Sequence, residues 1–230
     1  MLPSDLSYTV YYLPMPDHIN IIEIFPSVQG ESTLTGLPTT FIRLAACNLR
    51  CTWCDTTYSF GRGTAVDLEE IVKQVKDFGC QQVCVTGGEP LLQQNVYPLM
   101  TELCDAGYLV SLETGGSLST TKVDPRVRVI LDIKCPGSGM HEKNLWDNLT
   151  QLKSQDEVKF VLLHREDYDW ALEVCHKHQL FNKGFALLFS PVHGKLNPQD
   201  LVKWILENKI NVRLNLQIHK FIWTPETRGV

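Results

Sequence analysis

Three cysteines in the first quarter of the chain have a spacing that is typical of a metal centre. Cys47, Cys51 and Cys54 form a C-x3-C-x2-C run. A closed tetrahedral zinc site takes four protein ligands, and so does a 4Fe–4S cluster that is held only by cysteines. Three thiolates in one short loop therefore indicate a 4Fe–4S cluster with one iron left open for a small molecule.

A glycine-rich segment follows the cysteines after one predicted strand–helix unit. Residues 86–90 have the sequence TGGEP and begin 32 positions after Cys54. Glycines let the backbone approach a ligand closely, and Glu89 can accept hydrogen bonds from an ammonium group. Gly-Gly and Glu-Pro are also ordinary loop signals. The position of this segment one unit after the cysteine loop favours a ligand site.

The other five cysteines are scattered, and most of them fall in apolar strands or helical patterns. Eight cysteines without a secretion signal do not indicate a disulfide framework. We therefore predict that these five are small core residues: Cys80, Cys84, Cys104, Cys135 and Cys175. The competing hypothesis for the three-cysteine run is a zinc knuckle that uses Cys80 or Cys84 as its fourth ligand. It would need Cys84 to turn out of the apolar strand in which it lies.

Strand-like runs alternate with amphipathic helices and would position these groups. The predicted strands are 40–45, 82–85, 108–112, 127–133, 157–163, 185–189 and 211–217. The predicted helices are 67–78 (with a capping box of Asp67 and Glu70), 97–106, 143–152, 168–178 and one that begins after Asn197. This alternation predicts an α/β fold with a parallel sheet and helices packed outside it.

The length of the chain favours an open barrel. A closed eight-unit barrel takes about 250 residues, whereas this chain has 230 and places its first predicted core strand after residue 38. We predict an open partial (β/α)6 barrel, with a flat doubly wound sheet as the alternative. Polar groups follow six of the predicted strands, and barrel active sites lie at these strand ends. These polar groups should therefore lie close together at one open end of the barrel, its mouth.

Composition limits the classes of function. The chain has 43% hydrophobic and 20% charged residues and a net charge of −5, with no basic block, which argues against nucleic acid as a partner. Neither a signal peptide nor a membrane span is predicted, so we expect a cytoplasmic protein. We predict one domain over 1–230: an N-terminal extension with a substrate loop (1–38), a barrel core (39–217) and a tail (218–230).

The cysteine run and the Gly-Gly-Glu segment together resemble the radical S-adenosylmethionine (SAM) superfamily. The surrounding segments FPSVQGES (25–32), FIRL (41–44), ETGG (113–116) and QIHKF (217–221), with Asp55-Thr56, are similar to the 7-carboxy-7-deazaguanine synthase family from about residue 23 to 225. The resemblance implies a radical SAM lyase with a 4Fe–4S cluster, SAM and Mg2+. Its reaction would convert 6-carboxy-5,6,7,8-tetrahydropterin to 7-carboxy-7-deazaguanine with loss of ammonia, in queuosine or related deazapurine biosynthesis.

The same resemblance implies a role for individual residues. The cluster ligands would be Cys47, Cys51 and Cys54, and the Mg2+ ligand would be Thr56. SAM would contact Trp53, Cys54, Asp55, Gly88, Glu89, Asp132, Lys134 and Ser190. The substrate would contact Val28, Gln29, Gly30, Glu31, Arg43, Thr86, Glu113, His219 and Pro225. The residue types agree, since Arg43 could pair bidentately with a carboxylate, and no catalytic side chain is expected beyond the cofactor-derived radical. Simpler interpretations are a surface aromatic for Trp53, a surface arginine for Arg43 and a core histidine for His219.

The chain departs from the family pattern at four places. Ser32 replaces a frequent glycine, Asp132-Ile133-Lys134 replaces a common Ser-Pro-Lys, and Ser190 stands where glutamine is frequent. The chain also continues past Pro225, where some members offer their terminal carboxylate to the substrate. The extra residues either fold back over the mouth or fray.

Two other functions remain open from the sequence. One is another radical SAM activity, such as a glycyl-radical activase, and the other is a non-enzymatic metal-binding module. An activase acts on a protein loop and would not need the buried arginine, glutamine and glutamate residues that precede the cysteines, so these residues favour a small-molecule substrate. For the enzyme we expect an external electron donor, such as flavodoxin or ferredoxin, and a homodimer.

Overall fold

A computed structural model describes residues 17–225 and 227–230, and its strands form one mixed sheet. The predicted extension 1–38 thus lies partly outside the described residues. The sheet order is β3-β1-β2-β4-β5-β6-β7-β8-β9. The strands are β1 (His18–Val28), β2 (Pro38–Leu44), β3 (Thr64–Asp67), β4 (Gln82–Gly87), β5 (Leu109–Thr114), β6 (Arg128–Ile133), β7 (Glu157–Leu162), β8 (Ala186–Pro191) and β9 (Arg213–Leu214).

The order of the parallel strands distinguishes the two predicted architectures. Strand β2 pairs in parallel with β4, because β3 lies at the edge of the sheet beside β1. From β4 to β9, each strand pairs in parallel with the next one along the chain. A doubly wound sheet would reverse its order at a switch point, whereas an unbroken order is that of barrel winding. Because β3 and β9 lie at the two edges, the barrel is open. The prediction of an open partial barrel is confirmed.

Helices cover the outside of the sheet. They are α1 (Leu68–Phe78), α2 (Val96–Asp105), α3 (Arg165–Lys177) and α4 (Pro198–Asn208), whereas the short α5 (His219–Ile222) carries His219 and Lys220, which line the inside of the barrel. The predicted cap of α4 is present, since Asn197 accepts a hydrogen bond from the Gln199 amide at 3.0 Å. In the described part of the chain, no helix combines the length and apolar character that a bilayer crossing demands.

One predicted helix is wrong. Residues 143–152 contain short 3-10 turns at His141–Lys143 and Trp146–Thr150 in place of an α-helix. The reason lies in two buried asparagines. Asn144 exchanges hydrogen bonds with the backbone of Lys134 in both directions at 2.9 Å, and Asn148 donates to the carbonyls of Gly116 and Leu118. These tertiary bonds fix the segment in an irregular form.

Three further differences concern a strand that was not predicted, the length of the last strand and the cap of α1. The 11-residue β1 lies before the first predicted strand and pairs antiparallel with β2 and β3. The last strand is two residues rather than seven, because the Asn215 side chain bonds Ser32 and Ser190 and directs the chain away from the sheet. The capping box of α1 does not form, since the Glu70 carboxylate accepts from Gln74 instead.

Strand residues alternate between two environments. Along β7, Val158, Phe160 and Leu162 point outward into an apolar cluster with the helices, whereas Lys159 and Val161 line a cavity inside the barrel. The other core strands alternate in the same way. The main hydrophobic core therefore lies between sheet and helices, and this leaves the inner face free to carry polar side chains.

Candidate active site

A cavity of about 670 Å³ opens at the carboxyl ends of the parallel strands. This volume lies within the range of about 300–1,000 Å³ that is usual for small-molecule sites. The wall contains nearly every residue that the sequence predicts for the site, from the cysteine loop after β2 to the tail. Glu89 is the one predicted site residue that does not line the cavity.

The cysteine loop presents Cys47, Cys51 and Cys54 to this cavity, each partly exposed. Arg50 braces the loop from within. Its guanidinium donates to the carbonyl of Cys47 at 2.8 Å and lies 4.2 Å from the centre of the Phe60 ring. Burial raises the pKa of the Cys47 and Cys51 thiols. A bound metal favours the thiolate form, so the loop fits a cluster whose irons supply the missing positive charge.

The zinc alternative is not supported by the positions of the other cysteines. Cys84 is fully buried in a cluster with Phe25 and Phe41 and does not line the cavity. Cys80 precedes β4 and so lies at the opposite end of that strand from the loop. Within residues 17–225 and 227–230, no three Cys, His, Asp or Glu side chains converge on a single-ion position. The three thiols suit a cluster, in which each thiolate binds a different iron.

The glycine-rich segment packs directly against the cysteine loop. The amides of Gly88 and Glu89 donate to the carbonyls of Leu44 and Ala46 at 3.1 and 2.9 Å. A Cβ at Gly88 would lie 2.1 Å from the Ala46 oxygen, so only glycine allows this approach. The segment thus forms one continuous wall with the cysteine loop.

Glu89 braces this wall from behind. Its carboxylate accepts hydrogen bonds from the Thr114 hydroxyl at 2.9 Å and from the Gly115 and Leu91 amides at 2.8 and 3.1 Å. Burial outweighs these bonds and raises the pKa of the Glu89 carboxyl. Its direct contact with SAM stays a prediction, and its visible contribution is to fix the backbone around Gly88 and Gly115.

Two unpartnered polar atoms in the cavity wall belong to residues that are predicted to contact SAM. Trp53 Nε1 and Asp132 Oδ1 are buried without a hydrogen-bond partner among the described residues. Leaving a buried donor or acceptor unsatisfied costs about 1–3 kcal/mol. An indole N–H and a carboxylate oxygen are complementary to a nucleoside, which offers ring nitrogens and ribose hydroxyls. The donor set therefore fits SAM.

Asp55 connects the cysteine loop to the C-terminal segment. Its Oδ2 accepts from Lys220 at 2.5 Å and from Gln217 at 3.2 Å. Burial opposes ionisation, but these partners outweigh it and lower the pKa of Asp55 to about 2. The neighbouring Thr56 hydroxyl lies 3.4 Å from Asp55 Oδ1 and lines the cavity. One hydroxyl is a sparse ligand set, which Mg2+ accepts because it keeps waters and takes substrate oxygens.

The opposite side of the cavity carries amide and carboxylate groups beside aromatic rings. Glu113 accepts from the Thr86 hydroxyl at 3.1 Å and from the Gln29 amide at 3.4 Å. Phe25 and Phe41 stack with ring centres 5.2 Å apart. Such a wall suits a flat, hydrogen-bonding heterocycle.

Arg43 lines the same side and is held by two residues that the sequence reasoning missed. Its Nε donates to Glu23 at 2.7 Å, and the Tyr58 hydroxyl donates to the same carboxylate oxygen at 2.9 Å. Among the described residues, the hydrogen bond from Nε to Glu23 is the one that the Arg43 guanidinium makes. Its terminal nitrogens are therefore free to bind a ligand in the cavity.

The segment 28–32 is fixed against the C-terminal helix. The Gly30 carbonyl accepts from the Ile218 amide at 2.9 Å, and a Cβ at Gly30 would lie 2.0 Å from His219 Nδ1. Burial lowers the pKa of His219, which keeps the imidazole neutral at pH 7. Ser32 has φ +67°, a conformation that favours glycine. This explains why glycine is frequent there in the resembled family.

The tail also reaches the cavity. Pro225 and residues 227–230 belong to the wall, and the Arg228 guanidinium lies 4.1 Å from the centre of the Tyr58 ring. Burial and the Glu23 carboxylate raise the pKa of Tyr58 to about 12, although the nearby Arg43 and Arg228 act to lower it. This position favours the folded-back tail over the frayed one. Nothing in the sequence identified Tyr58 as the contact.

Lys159 is another lining residue that the sequence reasoning missed. It is 7% exposed in the middle of β7, with its Nζ 2.9 Å from Glu31 Oε2. A signal existed, since one lysine in the strand EVKFVL occupies an inward position between outward apolar residues.

Comparisons with known proteins identify relatives of this chain. Residues 41–137 match the Radical SAM superfamily model. The 7-carboxy-7-deazaguanine synthase of Chlorobaculum tepidum is 45% identical, covering 92% of this chain and 97% of that protein. The synthase of Koribacter versatilis is 44% identical, covering 92% and 100%. The crystal structure of QueE from Escherichia coli shares the fold, with a TM-score of 0.72 at 23% identity over 87% of this chain and 94% of that one.

The matched region contains the cysteine loop, the glycine-rich segment and Asp132. The similarity to the two synthases extends over nearly the full length of each protein. This chain belongs to the 7-carboxy-7-deazaguanine synthase family of the radical SAM superfamily.

Proposed function

We propose that this chain is a carbon–nitrogen lyase that converts 6-carboxy-5,6,7,8-tetrahydropterin to 7-carboxy-7-deazaguanine with loss of ammonia, in queuosine or related deazapurine biosynthesis. The observation that carries the proposal is one cavity with two chemically distinct sides. Three cysteine thiols lie on one side, and an arginine with amide and carboxylate groups lies on the other. The single domain 1–230 would contain both.

The cofactors are a 4Fe–4S cluster, SAM and Mg2+. When bound, the cluster and SAM supply the one-electron chemistry that removes a hydrogen atom from the substrate. Cys47, Cys51 and Cys54 would hold the cluster. The residues that would orient SAM are Trp53, Cys54, Asp55, Gly88, Glu89, Asp132, Lys134 and Ser190. The chain's contribution is to bind, orient and exclude water.

The substrate side would recognise both ends of the pterin. Glu31 and Glu113 can accept hydrogen bonds from the N–H groups of its ring, and Gln29 can donate and accept. Arg43 would pair with the carboxylate. The remaining proposed contacts are Val28, Gly30, Thr86, His219 and Pro225.

An anaerobic turnover assay tests the function directly. The protein with a reconstituted cluster is mixed with the tetrahydropterin, SAM, Mg2+ and dithionite, and the products are analysed by mass spectrometry. We expect 7-carboxy-7-deazaguanine and one ammonia per turnover. Reductive SAM cleavage without consumption of the pterin would instead indicate another radical SAM reaction.

The Mg2+ site gives a prediction on Thr56. Replacing Thr56 with alanine should remove the increase in activity with added Mg2+, because the only proposed protein ligand is lost. SAM affinity and cluster content should stay at wild-type levels. Thr56→Ser keeps the hydroxyl and should keep the response. A Thr56→Ala enzyme with the Mg2+ titration curve of the wild type would show that the ion binds elsewhere.

The tail gives a second prediction. Deleting residues 226–230 removes the Arg228–Tyr58 contact and opens one wall of the cavity. We expect the KM for the pterin to rise roughly 2- to 30-fold, the equivalent of one cation–π contact, with the Kd for SAM unchanged. Arg228→Lys should show a smaller rise than Arg228→Ala. Unchanged kinetics after the deletion would show that the tail does not contribute to binding.

The partners are proposed from the chemistry. The cluster needs an external one-electron donor, such as flavodoxin or ferredoxin, and a homodimer is the expected assembly. The net charge of −5 supports a small-molecule substrate rather than nucleic acid. Eight free cysteines suit a reducing compartment, which supports a cytoplasmic location.

A further inference from the structure

Four buried charges form a chain across the floor of the cavity. Lys159 Nζ lies 2.9 Å from Glu31 Oε2 and 3.6 Å from Asp132 Oδ2, and Lys134 Nζ lies 3.0 Å from the same Asp132 oxygen. The four side chains are at most 15% exposed. The signs alternate along the chain Glu31–Lys159–Asp132–Lys134, so two carboxylates are balanced by two ammonium groups.

Strand register accounts for the position of Lys159. Asp132 of β6 and Lys159 of β7 are direct partners in the parallel pair, so both side chains point into the barrel. Glu31 approaches from the loop after β1 and also accepts from Gln217 at 2.8 Å. Burying an ammonium group is costly unless it is paired. Its two carboxylate partners are what make a lysine tolerable at this inward position.

The partners of Lys159 belong to the two halves of the site. Glu31 lies on the side assigned to the substrate, and Asp132 lies on the side assigned to SAM. Asp132 uses Oδ2 for the two lysines and keeps Oδ1 unpartnered in the cavity wall. Lys159 therefore helps to hold the orientation in which Oδ1 can accept a hydrogen bond from a ligand.

Lys159 also determines the charge of Glu31. Burial opposes ionisation of this carboxyl, but attraction to Lys159, with hydrogen bonds from Lys159 and Gln217, keeps its pKa below the ordinary value. An ionised Glu31 is an acceptor only, which suits the ring N–H groups, whereas a protonated one could turn an O–H donor towards these groups, which are donors themselves. Without Lys159, Glu31 would be a buried carboxylate with an amide as its hydrogen-bonding partner.

We propose that Lys159 is a positioning residue that serves both ligands at once, holding Glu31 for the pterin and Asp132 for SAM. This inference rests on the proposed function for the pterin half, whereas the SAM half can be measured without it. It assigns a role to a residue that the cysteine and glycine motifs do not include, and it predicts that one substitution weakens the binding of two different molecules.

The test measures binding on the cluster-loaded protein without reductant, so that no turnover occurs. Equilibrium dialysis gives the Kd for radiolabelled SAM alone and then the Kd for the pterin at saturating SAM. In Lys159→Gln both Kd values should rise on the order of ten- to a hundredfold, as is typical when an outer partner of a site ligand is lost. Lys159→Arg keeps the charge and should recover part of both losses.

Lys153→Gln is a matched control. Lys153 pairs with the fully buried Asp156 at 2.9 Å and does not line the cavity, so its removal also leaves a buried carboxylate without its cation. It should lower the Tm and leave both Kd values unchanged. A Lys159→Gln protein that behaves in this way, less stable but with wild-type affinities, would overturn the proposal.

A double variant keeps the test valid if Lys159→Gln folds poorly. Glu31→Gln with Lys159→Gln removes both charges of the pair, which is usually less destabilising than removing one. Glu31→Gln alone should weaken the binding of the pterin and leave the binding of SAM unchanged. The double variant should weaken the binding of both molecules. Wild-type SAM affinity in a folded double variant would refute the action of Lys159 through Asp132. If the wild-type protein binds SAM but not the pterin, the proposed function fails separately.

Discussion

Replacing Cys51 with alanine should abolish binding of the 4Fe–4S cluster and therefore all SAM cleavage activity. The cysteine loop supplies three thiolates and no spare, and each thiolate of a cluster holds a different iron. We expect the purified and reconstituted Cys51→Ala protein to lack the visible absorbance of the cluster and to contain little bound iron. The loss should be complete rather than graded, as should the losses in Cys47→Ala and Cys54→Ala.

The chain offers matched controls among its other cysteines. Cys80→Ala should retain the cluster, because Cys80 lies at the far end of β4 from the loop. Cys84→Ala should also retain it, at some cost in Tm, because Cys84 packs in a buried cluster with Phe25 and Phe41. Full iron content and wild-type absorbance in Cys51→Ala would contradict the assignment. Loss of iron in Cys80→Ala or Cys84→Ala would instead indicate a fourth thiolate ligand and contradict the three-cysteine assignment.

The barrel was predictable because two signals in the sequence are local. Apolar runs of strand length alternate with helical patterns, and each polar motif directly follows such a run. Strand direction then brings the motifs to one edge of the sheet. The unbroken sheet order could not be read in this way, because strands of the same composition would also form a doubly wound sheet.

Two of the wrong elements, the segment 143–152 and the last strand, share one physical cause. The segment 143–152 has a helical pattern, but Asn144 bonds to Lys134, outside the segment, and Asn148 bonds to Gly116, which lies 32 residues away. The final strand stops early because Asn215 bonds to Ser32, which lies 183 residues away. Local propensity cannot anticipate bonds of this kind, and asparagine side chains are effective competitors with regular backbone pairing.

Some residues of the candidate site could be predicted from their type and spacing, whereas others needed the family resemblance or the fold. Cys47, Cys51 and Cys54 carry their chemistry in their type and spacing, so the cluster follows from the residues. Thr56 carries no such signal, and its assignment depends on the family resemblance. The inward position of Lys159 has a signal in its strand, but its partners Glu31 and Asp132 became visible only in the fold, as did the contact of Tyr58 with Arg228.

Replacing Arg43 with alanine should weaken capture of the pterin by one to two orders of magnitude. A hydrogen bond to a charged group contributes about 1.5–3 kcal/mol, and each 1.4 kcal/mol corresponds to a factor of ten in affinity. Isothermal titration of the cluster-loaded, SAM-saturated protein gives the Kd for the pterin. Arg43→Lys should recover only part of the affinity, because an ammonium group cannot present the two parallel N–H groups of a guanidinium.

The contact with Glu23 makes it possible to separate substrate binding from stability. Arg43→Ala also breaks the 2.7 Å pair with Glu23, so a lower Tm is expected whatever the role of the guanidinium. Glu23→Gln breaks the same pair but keeps the terminal nitrogens of Arg43 in the cavity wall. It should lower the Tm to a similar extent with a much smaller loss of pterin affinity. If the two variants lose stability and affinity in parallel, the Arg43–Glu23 pair is structural, and another group must bind the substrate carboxylate.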